Sequence, residues 1–261
     1  MPPARRAPAA PRIAVAALLL LACGVAGAQR LPNPKNYTEL WPEVDVYYRL
    51  DESVRLKAFA SLNESRETAY RQGSLGVELD WGAKPLSEVD RWYARVTPDF
   101  ISERIASLTV GYQYTGAMGS DRGDYGAHQV QAAGTFTVMG PWGLRLRNRN
   151  RVDVRYVDQV AGDGSDARDQ YWTWRYRNRT RVDRDFDTRI GVVTPYSQVE
   201  FFYDGRTHAW NRYNVYVGVV FPVWKETAYL DTYVMGQNDR TDAGASLNSV
   251  VALGLTLKLY Y

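Results

Sequence analysis

Residues 145–153 read RLRNRNRVD and residues 175–183 read RYRNRTRVD, identical at seven of nine positions. Side chains alternate along a strand, so Arg145, Arg147, Arg149 and Arg151 share one face. Arg175, Arg177, Arg179 and Arg181 share one face of the next strand. Two such consecutive strands are expected to be antiparallel neighbours. Directly opposed residues share a face, so any unbulged register that overlaps the two sets puts arginine opposite arginine. Like charges facing each other cost up to about 1 kcal/mol per pair. Lumenal water, inward carboxylates or a bound anion must offset that cost. A basic track that guides anionic solutes through a pore is one reading. An internal salt-bridge network is the other, with Asp45, Glu78, Asp80, Asp153, Asp183, Glu200 and Asp231 as candidate partners. The two can coexist.

Other chemistry is thinner. His128 is followed two residues on by Val130, and His208 by Trp210. Neither makes the His-x-Ser pair that outer-membrane lipid hydrolases often carry. Asp204 and His208 are close in sequence, a weak signal for a surface protease. There is no phosphate-binding glycine loop and no Cys/His metal cluster, so no cofactor or catalytic constellation is expected. A rim-active lipid hydrolase is therefore a distant third reading.

The elements that must position the arginines are strands. Leu75, Val77, Leu79 and Trp81 alternate with Gly76, Glu78 and Asp80, and Val251, Leu253, Leu255, Leu257 and Leu259 with Ala252, Gly254, Thr256 and Lys258. This two-residue period runs through the chain from residue 44. It yields about twelve strands, including a short one at 92–96 and a single one at 188–203. Connections at 116–126, 157–168 and 238–246 are long and polar, whereas those at 139–142, 183–187 and 222–225 are short. Trp81, Trp92, Trp142, Trp172, Trp174, Trp210 and Trp224 lie near strand ends, like the aromatic girdles of membrane barrels. In lipid every backbone donor and acceptor must be paired, so the sheet must close. The expectation is an all-β, closed antiparallel transmembrane β-barrel of about twelve strands. An even count would put both chain ends on the short-turn side. Asn148, Asn150, Asn178 and Thr180 fall on the face opposite the arginines, where lipid is expected.

Composition agrees. Aromatic residues make up 13% of the 261 residues, too many for a disordered chain. Mean hydropathy of −0.41 excludes a helical membrane protein. Arg5, Arg6 and Arg12, the apolar run Ile13 to Val25 and the Ala26-Gly27-Ala28 site describe a secretory signal peptide over 1–28. Leu20-Leu21-Ala22-Cys23 also resembles a lipoprotein box that would lipidate Cys23. Cleavage after Ala28 removes three of the 32 basic residues and none of the 29 acidic ones, leaving the two balanced. Net charge then gives no case for nucleic-acid binding. Residues 29–43 are expected to be an N-terminal periplasmic segment and 44–261 the barrel.

The segments LWPEVDVYYRL (40–50), LTVGYQY (108–114), RYRNRTR (175–181), TPYSQVEFFYD (194–204), WNRYNVYVG (210–218) and LDTYVMGQND (230–239) resemble an uncharacterised bacterial family, domain of unknown function twenty-four-ninety. The resemblance implies an outer-membrane β-barrel and no established activity. A looser likeness is to porins for acidic oligosaccharides, whose lumens are lined with arginine. The terminal strand ending at Tyr261 resembles the signal read by the barrel-assembly machinery. The leading expectation is a porin-like channel favouring anionic solutes in the outer membrane of a Gram-negative bacterium. The alternative is a closed structural or adhesive barrel whose arginines are salt-bridged.

Overall fold

A computed structural model describes residues 36–51, 53–65, 71–83, 105–118, 125–160, 168–224, 227–239 and 248–261. The leader over 1–28, with Cys23, and the short strand expected at 92–96, with Trp92, lie outside the described residues. The described residues form twelve strands: β1 (Asn36–Arg49), β2 (Val54–Ser65), β3 (Arg71–Ala83), β4 (Ala106–Ala117), β5 (Tyr125–Met139), β6 (Leu144–Val160), β7 (Arg168–Arg184), β8 (Phe186–Thr188), β9 (Gly191–Asp204), β10 (Ala209–Trp224), β11 (Ala228–Asp239) and β12 (Asn248–Tyr260).

Eleven of them close into a ring. Each pairs with its sequence neighbour, β7 passes directly to β9, and β1 closes against β12. The three-residue β8 lies outside the ring and pairs only with β9. All ring pairs are antiparallel except β1 with β12, which run parallel from Asn36↔Ser249 to Tyr47↔Tyr260. The expected closed all-β barrel is present, with eleven strands in the ring where about twelve were expected and one parallel pair in an otherwise antiparallel sheet. The reason is parity: β3 pairs directly with β4, the expected 188–203 strand enters the ring once, as β9, and an odd ring brings its first and last strands together pointing the same way. The two ends of the barrel therefore lie at opposite rims. β12 ends at the rim of the short connections 50–53, 140–143 and 225–227 and of the long one 84–105, while β1 begins at the rim carrying 66–70, 118–124, 161–167, 205–208 and 240–247.

The barrel also begins earlier than residue 44. Residues 36–43 belong to β1, not to a separate segment. Pro42 obscures the pattern, because proline cannot donate to a ladder. The β1–β2 ladder steps from Leu40↔Glu64 to Glu43↔Ser61, leaving Pro42 in the gap.

Local chemistry fixes the turns. Asp51 caps the β1–β2 turn by accepting from the Val54 N–H at 2.9 Å. Between β5 and β6, Trp142 and Gly143 take positive φ values of 60° and 74°, and the Gly140 N–H donates to the Leu144 carbonyl at 2.7 Å. Glycine holds such a conformation at no steric cost.

Alternation sorts the side chains into two environments. Outside, Leu75, Val77, Val110, Val130, Val152, Val217, Val234, Val251 and Leu253 are exposed around the circumference. Exposed aromatics flank this band on both sides: Trp81, Phe136, Trp142 and Trp224 toward the short-turn rim, and Trp172, Trp174 and Trp210 toward the other. Trp210 contacts the rings of Tyr176, Phe201 and Tyr203. The outward Asn148, Asn150, Asn178 and Thr180 satisfy one another. The Asn148 amide donates to Thr180 at 3.0 Å, Asn150 to Asn148 at 2.7 Å and Asn178 to Asn150 at 2.8 Å.

Inside, the wall formed by β9–β12 and β1 is packed with rings. Tyr196, Tyr216, Tyr229, Met235, Ala252 and Tyr260 form its core, with Trp41, Tyr47 and Tyr233 against it. Tyr47 stacks on Tyr260 across the parallel seam at 4.7 Å. Gly218 and Gly254 also face inward, and a Cβ on either would collide with the ring of Tyr196 or Tyr233. The polar wall opposite belongs to β6 and β7.

Candidate functional site

β6 and β7 are 17 residues each and carry both arginine sets on their inner faces. Their register opposes Arg147 to Arg181, Arg149 to Arg179 and Arg151 to Arg177. The ends of the ladder are mixed, with Arg145 opposite Asp183 and Asp153 opposite Arg175. Three like-charged pairs cost up to about 1 kcal/mol each. Buried carboxylates offset this.

Asp183, 2% exposed, receives three guanidiniums: Arg145, Arg147 at 3.3 Å and Arg181 at 2.9 Å. Glu200, also 2% exposed, sits on neighbouring β9 beside Arg179. It accepts from Arg177 at 2.7 Å and Arg179 at 3.1 Å, and from the Tyr216 hydroxyl at 3.3 Å. Asp153 takes Arg151 and lies 4.0 Å from Arg177. Arg175 reaches Asp204 at 3.9 Å. Arg149 has the weakest compensation, a 4.0 Å approach to Glu78, and Glu78 also accepts from the Gln131 amide. Rings add to the wall: the Arg181 guanidinium lies 3.8 Å from the Tyr196 ring centre, and Arg177 lies 4.8 Å from that of Phe202.

The remaining acids have other partners. Asp231 accepts from Lys258 at 2.7 Å and from the Tyr196 hydroxyl at 2.8 Å. Asp45 meets Lys57 at 2.9 Å. Asp80 meets Arg55 and accepts from Thr109 at 2.9 Å.

Toward the rim where β12 ends, the inner face carries an open-sided chamber of about 230 Å³. Seven cations line it: Arg55, Lys57, Arg147, Arg149, Arg179, Arg181 and Lys258. Among the described residues two carboxylates, Glu78 and Asp80, share the lining, together with Tyr47, Gln198 and the hydroxyls of Ser107, Thr109, Thr135 and Thr137. Asp45, Asp183, Glu200 and Asp231 are buried outside that lining. The charges are thus layered, with acids in the wall and cations at the surface of the cavity. Each of these cations has a carboxylate partner within 4.0 Å.

A family model described as "Protein of unknown function (DUF2490)" matches residues 38–248. The chain belongs to the DUF2490 family. The match runs from within β1 to the first residue of β12 and so takes in both arginine strands. No curated protein matches the chain.

In this DUF2490 barrel the neighbours of the arginines include residues that the repeat alone does not reveal. Arg55, Lys57 and Lys258 complete the chamber, and Asp185 and Asp204 join the network. The signal for the cations was their parity: Arg55, Lys57 and Lys258 each alternate with apolar residues along their strands. The histidines lie apart from the chamber. His128 is on the outer face, where its Nδ1 is 2.6 Å from the Tyr112 hydroxyl. His208 holds a turn with φ 50°. Asp204 accepts from the Arg206 N–H at 2.8 Å and meets Arg155 at 3.7 Å. Among the described residues no group of His, Cys, Asp and Glu could hold a metal ion.

Proposed function

We propose that this protein is an outer-membrane β-barrel whose lumen admits small anionic solutes. The observation that carries the anion preference is the chamber lining, seven cations against two carboxylates. The membrane reading rests on the outer surface. A continuous band of exposed valine and leucine between two aromatic rings would be an aggregation hazard in water. In a bilayer the same band meets hydrocarbon and the rings sit at the headgroups. The hydrogen-bonded Asn148, Asn150, Asn178 and Thr180 keep their polar atoms paired on that surface, which lowers the cost of placing them in lipid.

A second reading is favoured by the pairing itself. Each of the eight ladder arginines has a carboxylate within 4.0 Å. A barrel so braced could serve as a closed structural or adhesive element. Single-channel recording of the refolded protein in planar bilayers separates the two. The channel reading expects discrete conductance with anion preference, reduced by changing Arg147, Arg149, Arg177 and Arg179 together to glutamine. Silence where a control porin opens supports the closed barrel.

A further inference from the structure

The chamber contains a row of donors that runs across four strands at one level. Ser107 on β4 faces Thr135 on β5, Thr135 faces Arg149 on β6, and Arg149 faces Arg179 on β7. All four side chains line the chamber. We propose that this row is a binding site for a phosphate-like oxyanion, so that solutes are captured here rather than merely steered. The inference rests on the reading of the lumen as an anion compartment and names what that compartment takes.

Three features support it. First, the Nε atoms of Arg149 and Arg179, and Nε and Nη1 of Arg55 in the same chamber, are buried and have no acceptor among the protein atoms. Buried donors left unmatched are costly, and the guanidiniums that carry them line the chamber, where an oxyanion would supply compensating negative charge. Second, Arg149 is the least compensated cation of the ladder, with its nearest carboxylate at 4.0 Å, and it faces another arginine. An anion between the two guanidiniums turns a repulsion into two attractions. Third, the chemistry suits an oxyanion better than a halide. A guanidinium presents parallel N–H groups spaced for two oxygens, and the hydroxyls of Ser107 and Thr135 add short donors at the same level. Glu200 holds the Arg179 Nη2 at 3.1 Å from the far side, so that guanidinium is positioned before any ligand arrives.

The test is calorimetric titration of inorganic phosphate into the refolded barrel in detergent micelles, with chloride at equal ionic strength as the comparison. Saturable phosphate binding that chloride does not displace is expected. Arg149→Gln should weaken it about tenfold or more, the loss of one charge-assisted hydrogen-bonded pair. Thr135→Val, a milder change, should weaken it in the same direction. Arg155→Gln, on the same strand but paired with Asp204 at the other end, should leave it within about twofold. No saturable phosphate binding, or equal losses in Arg149→Gln and Arg155→Gln, would overturn the site. Because no membrane is involved, conduction without phosphate binding would remove the site and keep the channel. Binding in a barrel that never conducts would do the reverse.

Discussion

Glu200 is the carboxylate whose loss should be felt most. It is 2% exposed, accepts from Arg177 at 2.7 Å and Arg179 at 3.1 Å, and has the Tyr216 hydroxyl on its other side. Glu200→Gln keeps the shape and removes the charge. Arg177 and Arg179 would then face Arg151 and Arg149 across the ladder with Asp153, 4.0 Å from Arg177, as the nearest remaining acid. Removing one partner of a buried ion pair costs about 3–5 kcal/mol. Here the Arg179 side chain is 31% exposed to the lumen, so water recovers part of that, and about 3 kcal/mol is expected. The assay is equilibrium unfolding in urea from lipid vesicles, followed by tryptophan fluorescence. If uncompensated charge is the cause, adding Arg177→Gln and Arg179→Gln to Glu200→Gln should restore most of the loss. A single variant that loses less than about 1 kcal/mol would refute the reasoning. So would a triple variant as unstable as the single.

The closure and the membrane reading have their own tests. Val46 and Leu259 are directly paired across the seam, so Val46→Cys with Leu259→Cys should form a disulfide on mild oxidation. Leu40→Cys with Leu259→Cys should not, because Leu40 pairs with Leu253; cross-linking of that control pair instead would overturn the register of the seam. In vesicles whose lipids carry bromine near the headgroups, tryptophan emission should be quenched more than with bromine at the chain ends, since the exposed tryptophans cluster at the two rims. Stronger quenching from the chain ends, or none at all, would count against that placement.

Much of this architecture was legible in the chain. A strict two-residue period forces a two-faced sheet, and the parity of the arginine repeat settles which residues share a face. That is why arginine could be expected to oppose arginine before any register was known, while the register itself makes the pairs Arg147 with Arg181 and Arg149 with Arg179. The strand count was not legible, because local period does not tell which strand pairs with which, and the direct pairing of β3 with β4 is a long-range fact. β1 was read too short since Pro42 interrupts its donors. The tyrosine wall was also missed: Tyr47, Tyr196, Tyr216 and Tyr233 have apolar bodies, and alternation alone does not say whether a tyrosine faces water, lipid or a packed lumen. Pairings between distant strands, such as Arg149 with Glu78, depend on the curvature of the closed sheet and leave no trace in local sequence.

The parallel seam also bears on how the molecule comes into being. Its two strands are the first and last of the described chain, so their pairing closes the largest loop the fold contains and is entropically the most delayed step. Until it forms, the sheet has two raw edges with rows of unmatched backbone groups, a state that neither water nor lipid tolerates well. Parallel pairing is slightly weaker per residue than antiparallel, which makes this line the one along which a finished ring would open first. Birth and failure of the barrel thus share a single place, the stripe where Tyr47 lies on Tyr260.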